Sequence, residues 1–171
     1  MTAPLRTGFV SAVVGAAVTL ATAGQVAAAP ADGTAYAIGK CFAAGDVPVV
    51  QPSRFAYNCD ETGVMQDMTW SSWGADGARG TGFDNAVECQ PNCAQGTRLV
   101  NPIVVHAWNP RTPTMPGCPP GVQFFADMSI AYPKAAPPWI KPGTTWDTGT
   151  DFVTVDGMPA VHYSGLTPRC S

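Results

Sequence analysis

Six cysteines are the residues of this chain whose types and spacing most clearly suggest chemistry. They are Cys41, Cys59, Cys89, Cys93, Cys118 and Cys170. Cys89, Cys93 and His106 imitate three ligands of a two-cysteine, two-histidine zinc finger, but no fourth ligand follows at the required spacing. We therefore expect disulfides rather than a metal site, and no cofactor.

The pairing of the cysteines is expected to follow their order along the chain. The predicted bridges are Cys89–Cys93, Cys41–Cys59 and Cys118–Cys170. A turn that contains Pro91 can bring Cys89 and Cys93 together, and strands adjacent in sequence are usually neighbours in space. Because Cys89 and Cys93 are separated by three residues, they do not form a thioredoxin-type redox motif.

Aspartates and histidines provide the remaining catalytic candidates. The segment 147–150, Asp-Thr-Gly-Thr, matches the active-site motif of aspartic proteases, but it occurs once and close to the C-terminus. We interpret it as a turn before a strand. Asp147, Asp151 and Asp156 lack the spacing of a known calcium loop, so they are interpreted as solvated turn acids.

No serine stands in the G-x-S-x-G motif of a nucleophile elbow. The candidate nucleophiles are Ser71, Ser72 and Ser164, and the candidate bases are His106 and His162, with His106 expected in a strand. A catalytic site assembled from residues distant in sequence stays open as an alternative, because such sites are recognised by geometry. No catalytic residue is therefore assigned.

Residues 1–29 have the pattern of a cleaved secretory signal peptide. Arg6 supplies a positive charge, the range 9–23 is apolar, and small residues occupy 26–29. The apolar run is too short for a membrane span, so no transmembrane segment is expected in the mature chain. Residues 30–171 are predicted to form a single secreted or envelope domain in an oxidising compartment.

The charge and composition exclude several classes of protein. The 171 residues carry 9 basic and 12 acidic side chains, with no long charged run, which argues against a nucleic-acid or anionic-membrane surface. The 18 glycines and 17 prolines disfavour long helices. Apolar residues make up 46% of the chain, so a core can nevertheless form.

Alternating apolar and polar residues predict about seven short strands and an all-β fold. The clearest is 122–132, with Val122, Phe124 and Met128 among the residues of one face. Pro102 and Pro110 are expected to bound a strand over 103–108. Hairpins are predicted from 55–59 with 64–70 and from 152–155 with 160–163, and a further strand from 78–87. A disulfide-stapled sandwich and a small barrel both fit this pattern.

One block of the sequence combines tryptophans, glycines and two cysteines at close spacing. It comprises Trp70-Ser-Ser-Trp73-Gly, then Gly80-Thr-Gly82, then Cys89-Gln-Pro-Asn-Cys93-Ala-Gln-Gly96. This arrangement resembles the central block of small secreted actinobacterial proteins that are uncharacterised. The resemblance covers about half of the predicted mature chain and implies export, but no activity.

Trp70 and Trp73 are the candidate ligand-stacking residues of that block. Their spacing of three predicts opposite faces of a strand, with Trp70 beside Met68 in the core. We expect them to be structural, with sugar stacking as the alternative. The functional hypothesis is a non-catalytic binding or structural domain at the cell envelope or outside the cell, with a glycan or protein as partner. The alternative is a small envelope hydrolase.

Overall fold

A computed structural model describes residues 33–170, and the predicted signal peptide over 1–29 lies outside this range. The described residues form nine strands and no helix. The strands are β1 (Ala35–Ile38), β2 (Phe55–Ala56), β3 (Gly63–Gly74), β4 (Gly77–Glu88), β5 (Thr97–Arg111), β6 (Val122–Ala131), β7 (Thr144–Asp147), β8 (Thr150–Val155) and β9 (Met158–Tyr163). No helix within 33–170 is long and apolar enough to cross a membrane.

All nine strands belong to one sheet that curls into a half-barrel. Its order is β2-β3-β4-β5-β6-β9-β8-β7, with antiparallel neighbours throughout. β1 pairs in parallel with the first half of β6, while β9 pairs with the second half. The all-β prediction is confirmed, and the single sheet corresponds to the barrel-like alternative. The two strands beyond the predicted seven are β1 and β7.

The predicted hairpins are present with the expected turns. β2 pairs with the start of β3, and β8 pairs with β9 along its full length. Asp156 and Gly157 join β8 to β9 with φ angles of 50° and 78°. Positive φ at both central residues matches the right-handed twist of the flanking strands, which is why an Asp-Gly pair predicts such a hairpin.

β5 is longer than predicted, and it includes both prolines that were expected to bound it. The expected boundaries at Pro102 and Pro110 were wrong, since the strand covers 97–111. Pro102 lies beyond the region paired with β6 and has only β4 beside it. Pro110 lies beyond the region paired with β4 and has only β6 beside it. A proline lacks the N–H of the ladder, so it is tolerated where one flank of the strand is unpaired.

The buried residues form a main core and a second, smaller cluster that contains Val122 and Phe124 of β6. The main core is the larger of the two. Its fully buried members include Met65, Ile103, Val105, Met128 and Ile130. β4 is rich in small residues because large side chains from β3 lie over it. A Cβ atom at position 80 would lie 2.7 Å from the Trp70 ring, so glycine is needed for this close approach.

The three predicted disulfides are all present. Cys41 pairs with Cys59, Cys89 with Cys93, and Cys118 with Cys170, and no cysteine is free. The Cys41–Cys59 bridge ties the segment after β1 to the β2–β3 turn. The Cys118–Cys170 bridge ties the segment before β6 to the end of the described chain. These bridges are compatible with an extracellular protein.

Removing the bridges singly is expected to reveal unequal contributions to stability. The Cys118–Cys170 bridge closes a separation of 52 residues, while the Cys89–Cys93 bridge closes one of 4. Loop-closure entropy then predicts a loss of about 4 kcal/mol for Cys118→Ser with Cys170→Ser, against about 2 kcal/mol for Cys89→Ser with Cys93→Ser. Urea unfolding of the two double variants measures the difference. Equal losses would contradict the entropic account.

Candidate functional site

A cavity of about 770 Å³ opens at one end of the half-barrel. It lies between the β2–β3 turn, the end of β4, the segment that follows β6, and β7 to β9. Its aromatic lining residues are Tyr57, Tyr132, Trp139, Trp146, Phe152 and Tyr163. Its charged lining residues are Lys40, Asp60, Glu88 and Asp147. The volume and the mixture of aromatic walls with a few polar groups are typical of small-ligand sites.

Beneath the cavity, a buried carboxylate joins two of its tyrosines. Tyr57 donates a hydrogen bond of 2.7 Å to Asp84 Oδ1, and Tyr132 donates one of 2.8 Å to Asp84 Oδ2. Asp84 has no exposed surface. Gly63 allows the Tyr57 ring to lie against the β3 backbone, because a Cβ atom there would come within 2.5 Å of it. The network links the β2–β3 turn, β4 and the end of β6, which fixes the floor of the cavity.

Burial controls the protonation of this network. Desolvation raises the pKa of Asp84 above its usual value, although the hydrogen bonds from Tyr57 and Tyr132 oppose the shift. Burial and the nearby Asp84 raise the pKa of both tyrosines well above 10. Tyr163 is shifted in the same direction, again chiefly by burial. The three phenols therefore stay neutral and can act as hydrogen-bond donors.

Lys40 brings a positive charge to the cavity wall. Its Nζ atom lies 4.2 Å from the centroid of the Tyr163 ring, a distance suited to a cation–π interaction. Burial lowers the pKa of Lys40, and the negative charge of Asp147 opposes that shift. The ammonium group of Lys40 is therefore close to both the Tyr163 ring and the Asp147 carboxylate.

The rim of the cavity is built from irregular segments held by covalent links. Cys59, Cys89 and Cys93 all line it, so two of the three disulfides border the opening. Asp60 accepts hydrogen bonds from the Thr62 backbone and side chain, which lower the pKa of its carboxyl group. These links hold the rim in place before any ligand arrives, and such preorganisation reduces the entropic cost of binding.

The two histidines lie together on the outer face of the sheet, away from the cavity. Trp108 stacks between them, with ring centroids 4.8 Å from His106 and 5.3 Å from His162. His162 Nε2 lies 3.3 Å from Asp127 Oδ1. Burial and the positive charge of Arg79 lower the pKa of His106. As expected, His106 lies in a strand.

Ser129 lies between the two histidines in the strand register, paired with His106 on one side and His162 on the other. Its exposed fraction is only 4%, so its hydroxyl group is shielded from a substrate in solvent. A histidine and a carboxylate therefore do meet, but on the outer face, and neither histidine lines the cavity. The cluster lacks the accessible nucleophile that a hydrolase of this type requires.

Trp70 and Trp73 lie on the same side of β3, which corrects the prediction of opposite faces. Their rings meet edge to face with centroids 4.6 Å apart. The pairing of β3 with β4 shifts between Trp70 and Ser72, so one extra residue on β3 reverses the alternation. Trp70 Nε1 donates to the Pro52 carbonyl, and Trp73 Nε1 donates to the Tyr36 carbonyl. Both indoles pack against the main core.

The remaining candidates from the sequence are aspartates that lie in turns or in local hydrogen bonds. Residues 148–149 turn the chain between β7 and β8, as predicted for the protease-like tetrad. Asp151 accepts a hydrogen bond from the Thr145 hydroxyl group, and Asp156 lies in the β8–β9 turn. Among residues 33–170, no three His, Cys, Asp or Glu side chains are grouped to hold a metal ion.

Sequence reasoning missed the cavity, and with it Asp84, Lys40 and the three tyrosines. One signal was present. Ala78, Gly80, Gly82 and Ala86 mark alternate small residues on one face of β4, and Asp84 occupies the same face. A carboxylate in phase with the core positions of a strand predicts a buried, hydrogen-bonded group.

Comparisons with known proteins give no relative for this chain. No family model, no curated protein and no solved structure matches it.

Proposed function

We propose that this protein is an exported, non-catalytic β domain that binds a small organic ligand in the cavity, at the cell envelope or outside the cell. The cavity itself carries the proposal: about 770 Å³ lined by six aromatic side chains and four charged ones. The signal-like N-terminus and the resemblance to secreted actinobacterial proteins support export. The disulfide-bordered rim and the Tyr57–Asp84–Tyr132 floor support a site that is formed before binding.

A binding role agrees better with the positions of the titratable groups than a hydrolytic one does. The cavity contains carboxylates and an ammonium group but no histidine, while the His162–Asp127 pair lies on the outer face beside the shielded Ser129. Trp108 stacks on both histidines and so covers one face of each imidazole ring. Turnover of p-nitrophenyl acetate that is lost in His162→Ala would favour the hydrolase alternative.

Ligand-induced NMR shifts test the binding role directly. A mixture of neutral and cationic organic fragments is added to the ¹⁵N-labelled protein, and we expect the amide signals of Thr62, Val87 and Val161, which line the cavity, to move. Ala86→Phe places a ring in the cavity and should abolish these shifts. Val100→Phe is the matched control, because position 100 pairs with Asn85 on the opposite face and is 56% exposed. Shifts that survive Ala86→Phe would contradict the proposal.

A further inference from the structure

Trp146 is the most unusual side chain at the rim of the cavity. It is 66% exposed, and it lies on β7, the edge strand of the sheet. Its ring contacts Phe152, which lines the cavity with it, at a centroid distance of 6.0 Å. A large aromatic residue on an exposed edge gains little from burial. An indole face presented to solvent beside a cavity is suited to stacking against a ligand.

Polar side chains line the same cavity as this indole. Asp147 follows Trp146 directly, and Glu88 and Gln90 lie on the cavity lining at the end of β4. Asn58 contributes a further amide group from the β2–β3 turn. Carboxylate oxygens accept hydrogen bonds, while side-chain amides both donate and accept them. This combination suits the hydroxyl groups of a sugar ring, which also donate and accept.

The charges of the lining select among possible ligands. Asp60, Glu88 and Asp147 oppose the single positive charge of Lys40. Three carboxylates against one ammonium group disfavour phosphorylated, sulfated or carboxylated molecules, since like charges repel. Lys40 also places a cation over the Tyr163 ring, so that aromatic face is already occupied and a quaternary ammonium ligand would meet its charge. Among uncharged molecules, one rich in hydroxyl groups matches the hydrogen-bond donors and acceptors of this lining.

We infer that the cavity binds a neutral oligosaccharide of two or three sugar rings, with one ring stacked on Trp146 and the next inside the cavity. This inference rests on the proposed function, because it assigns a ligand class to the same cavity. The apolar face of a sugar ring packs on the indole, and its hydroxyl groups bond to Asp147 and Glu88. The binding residues thus lie on β7 and the end of β4, away from Trp70 and Trp73 of β3.

Titration with two neutral trisaccharides tests the inference. The probes are the trimer of N-acetylglucosamine and the trimer of β-1,4-linked glucose, each added to the ¹⁵N-labelled protein. We expect at least one to shift the cavity amides, and Trp146→Ala to weaken its binding roughly tenfold. Trp146→Phe should keep part of the affinity. Phe83→Ala should leave it unchanged, because Phe83 is also exposed, at 42%, but does not line the cavity.

The outcomes separate this inference from the proposed function. If neither trisaccharide shifts the cavity amides while the fragment mixture or tetramethylammonium does so, the sugar assignment is wrong and the binding role stands. If no probe shifts them, both are wrong. Binding of a trisaccharide with equal affinity to the native protein and Trp146→Ala would also overturn the stacking role. A trimer of galacturonic acid that binds more tightly than the neutral trimers would overturn the charge argument.

Discussion

Asp84→Ala is expected to destabilise the fold by about 3–5 kcal/mol, because each of two buried phenols left without a partner costs about 1–3 kcal/mol. This is a large fraction of the stability of a typical domain. The substitution removes the acceptor of two hydrogen bonds, of 2.7 Å from Tyr57 and 2.8 Å from Tyr132. Both phenols are buried, so their hydroxyl groups would lose the partner that satisfies them beneath the cavity. Urea unfolding followed by tyrosine and tryptophan fluorescence measures the loss.

Asp84→Asn is the matched control for this substitution. The amide has the shape of the carboxylate, can accept from one phenol and can donate to the oxygen of the other. We expect it to cost less than half as much as Asp84→Ala. Equal losses for the two variants would show that the hydrogen bonds to Asp84 contribute little and that the charge alone matters.

The pH dependence of stability provides a second test of the same network. Because burial raises the folded-state pKa of Asp84 above 3.8, the folded state binds its proton more tightly than the unfolded state does. Asp84 therefore stabilises the fold most below about pH 4, and this contribution is lost as the pH rises through the raised pKa. Asp60 and Glu61, whose pKa values are lowered, act in the opposite direction.

The difference between native protein and Asp84→Asn isolates this effect, since Asp60 and Glu61 are present in both. The stability of the native protein relative to the variant should decrease as the pH rises from about 4, and then become constant. Denaturant unfolding at a series of pH values gives the curve. A difference that is independent of pH, or that increases, would contradict a raised pKa for Asp84.

The strands and the disulfides were accessible from sequence because they depend on local patterns. Period-two alternation identified β6 as a strand, although the predicted single buried face was wrong because residues of both faces are buried. The Asp156-Gly157 pair identified the β8–β9 hairpin. Pairing the cysteines in their order along the chain gave all three disulfides, although only Cys89–Cys93 closes within a single turn. β5 was shortened in the prediction because the local rule for proline ignores which flank of the strand is paired.

The cavity was not accessible because no local pattern encodes it. Its lining residues come from segments that are distant in sequence, from Lys40 to Tyr163, and the curl of the sheet brings them together. The bulge that places Trp70 and Trp73 on one face has the same origin. It is defined by the pairing of β3 with β4, where Gly80 leaves room for the Trp70 ring. Such features follow from tertiary packing rather than from the order of residue types.

Trp70→Ala and Trp73→Ala are each expected to destabilise the protein by about 3–5 kcal/mol, because each leaves a cavity against the core. Trp73 also packs edge to face on Phe125, with ring centroids 5.5 Å apart. Its indole N–H donates a hydrogen bond to the Tyr36 carbonyl of β1. Its loss therefore loosens the contact between β1 and β3. A large loss of stability is therefore expected for Trp73→Ala as well, although the predicted alternation had placed Trp73 on the opposite face from Trp70.

Thermal and urea unfolding of the two variants, beside Trp146→Ala, distinguishes structural tryptophans from a ligand-binding one. Trp146 is 66% exposed, so its truncation should change stability by less than about 1 kcal/mol. The phenylalanine variants at 70 and 73 keep most of the ring volume but lose the indole N–H, and we expect them to recover part of the stability. If Trp70 and Trp73 were instead a sugar-stacking pair, their alanine variants would stay stable and lose binding to envelope glycans. That result, together with unchanged glycan binding in Trp146→Ala, would show that glycans bind at β3 and not in the cavity.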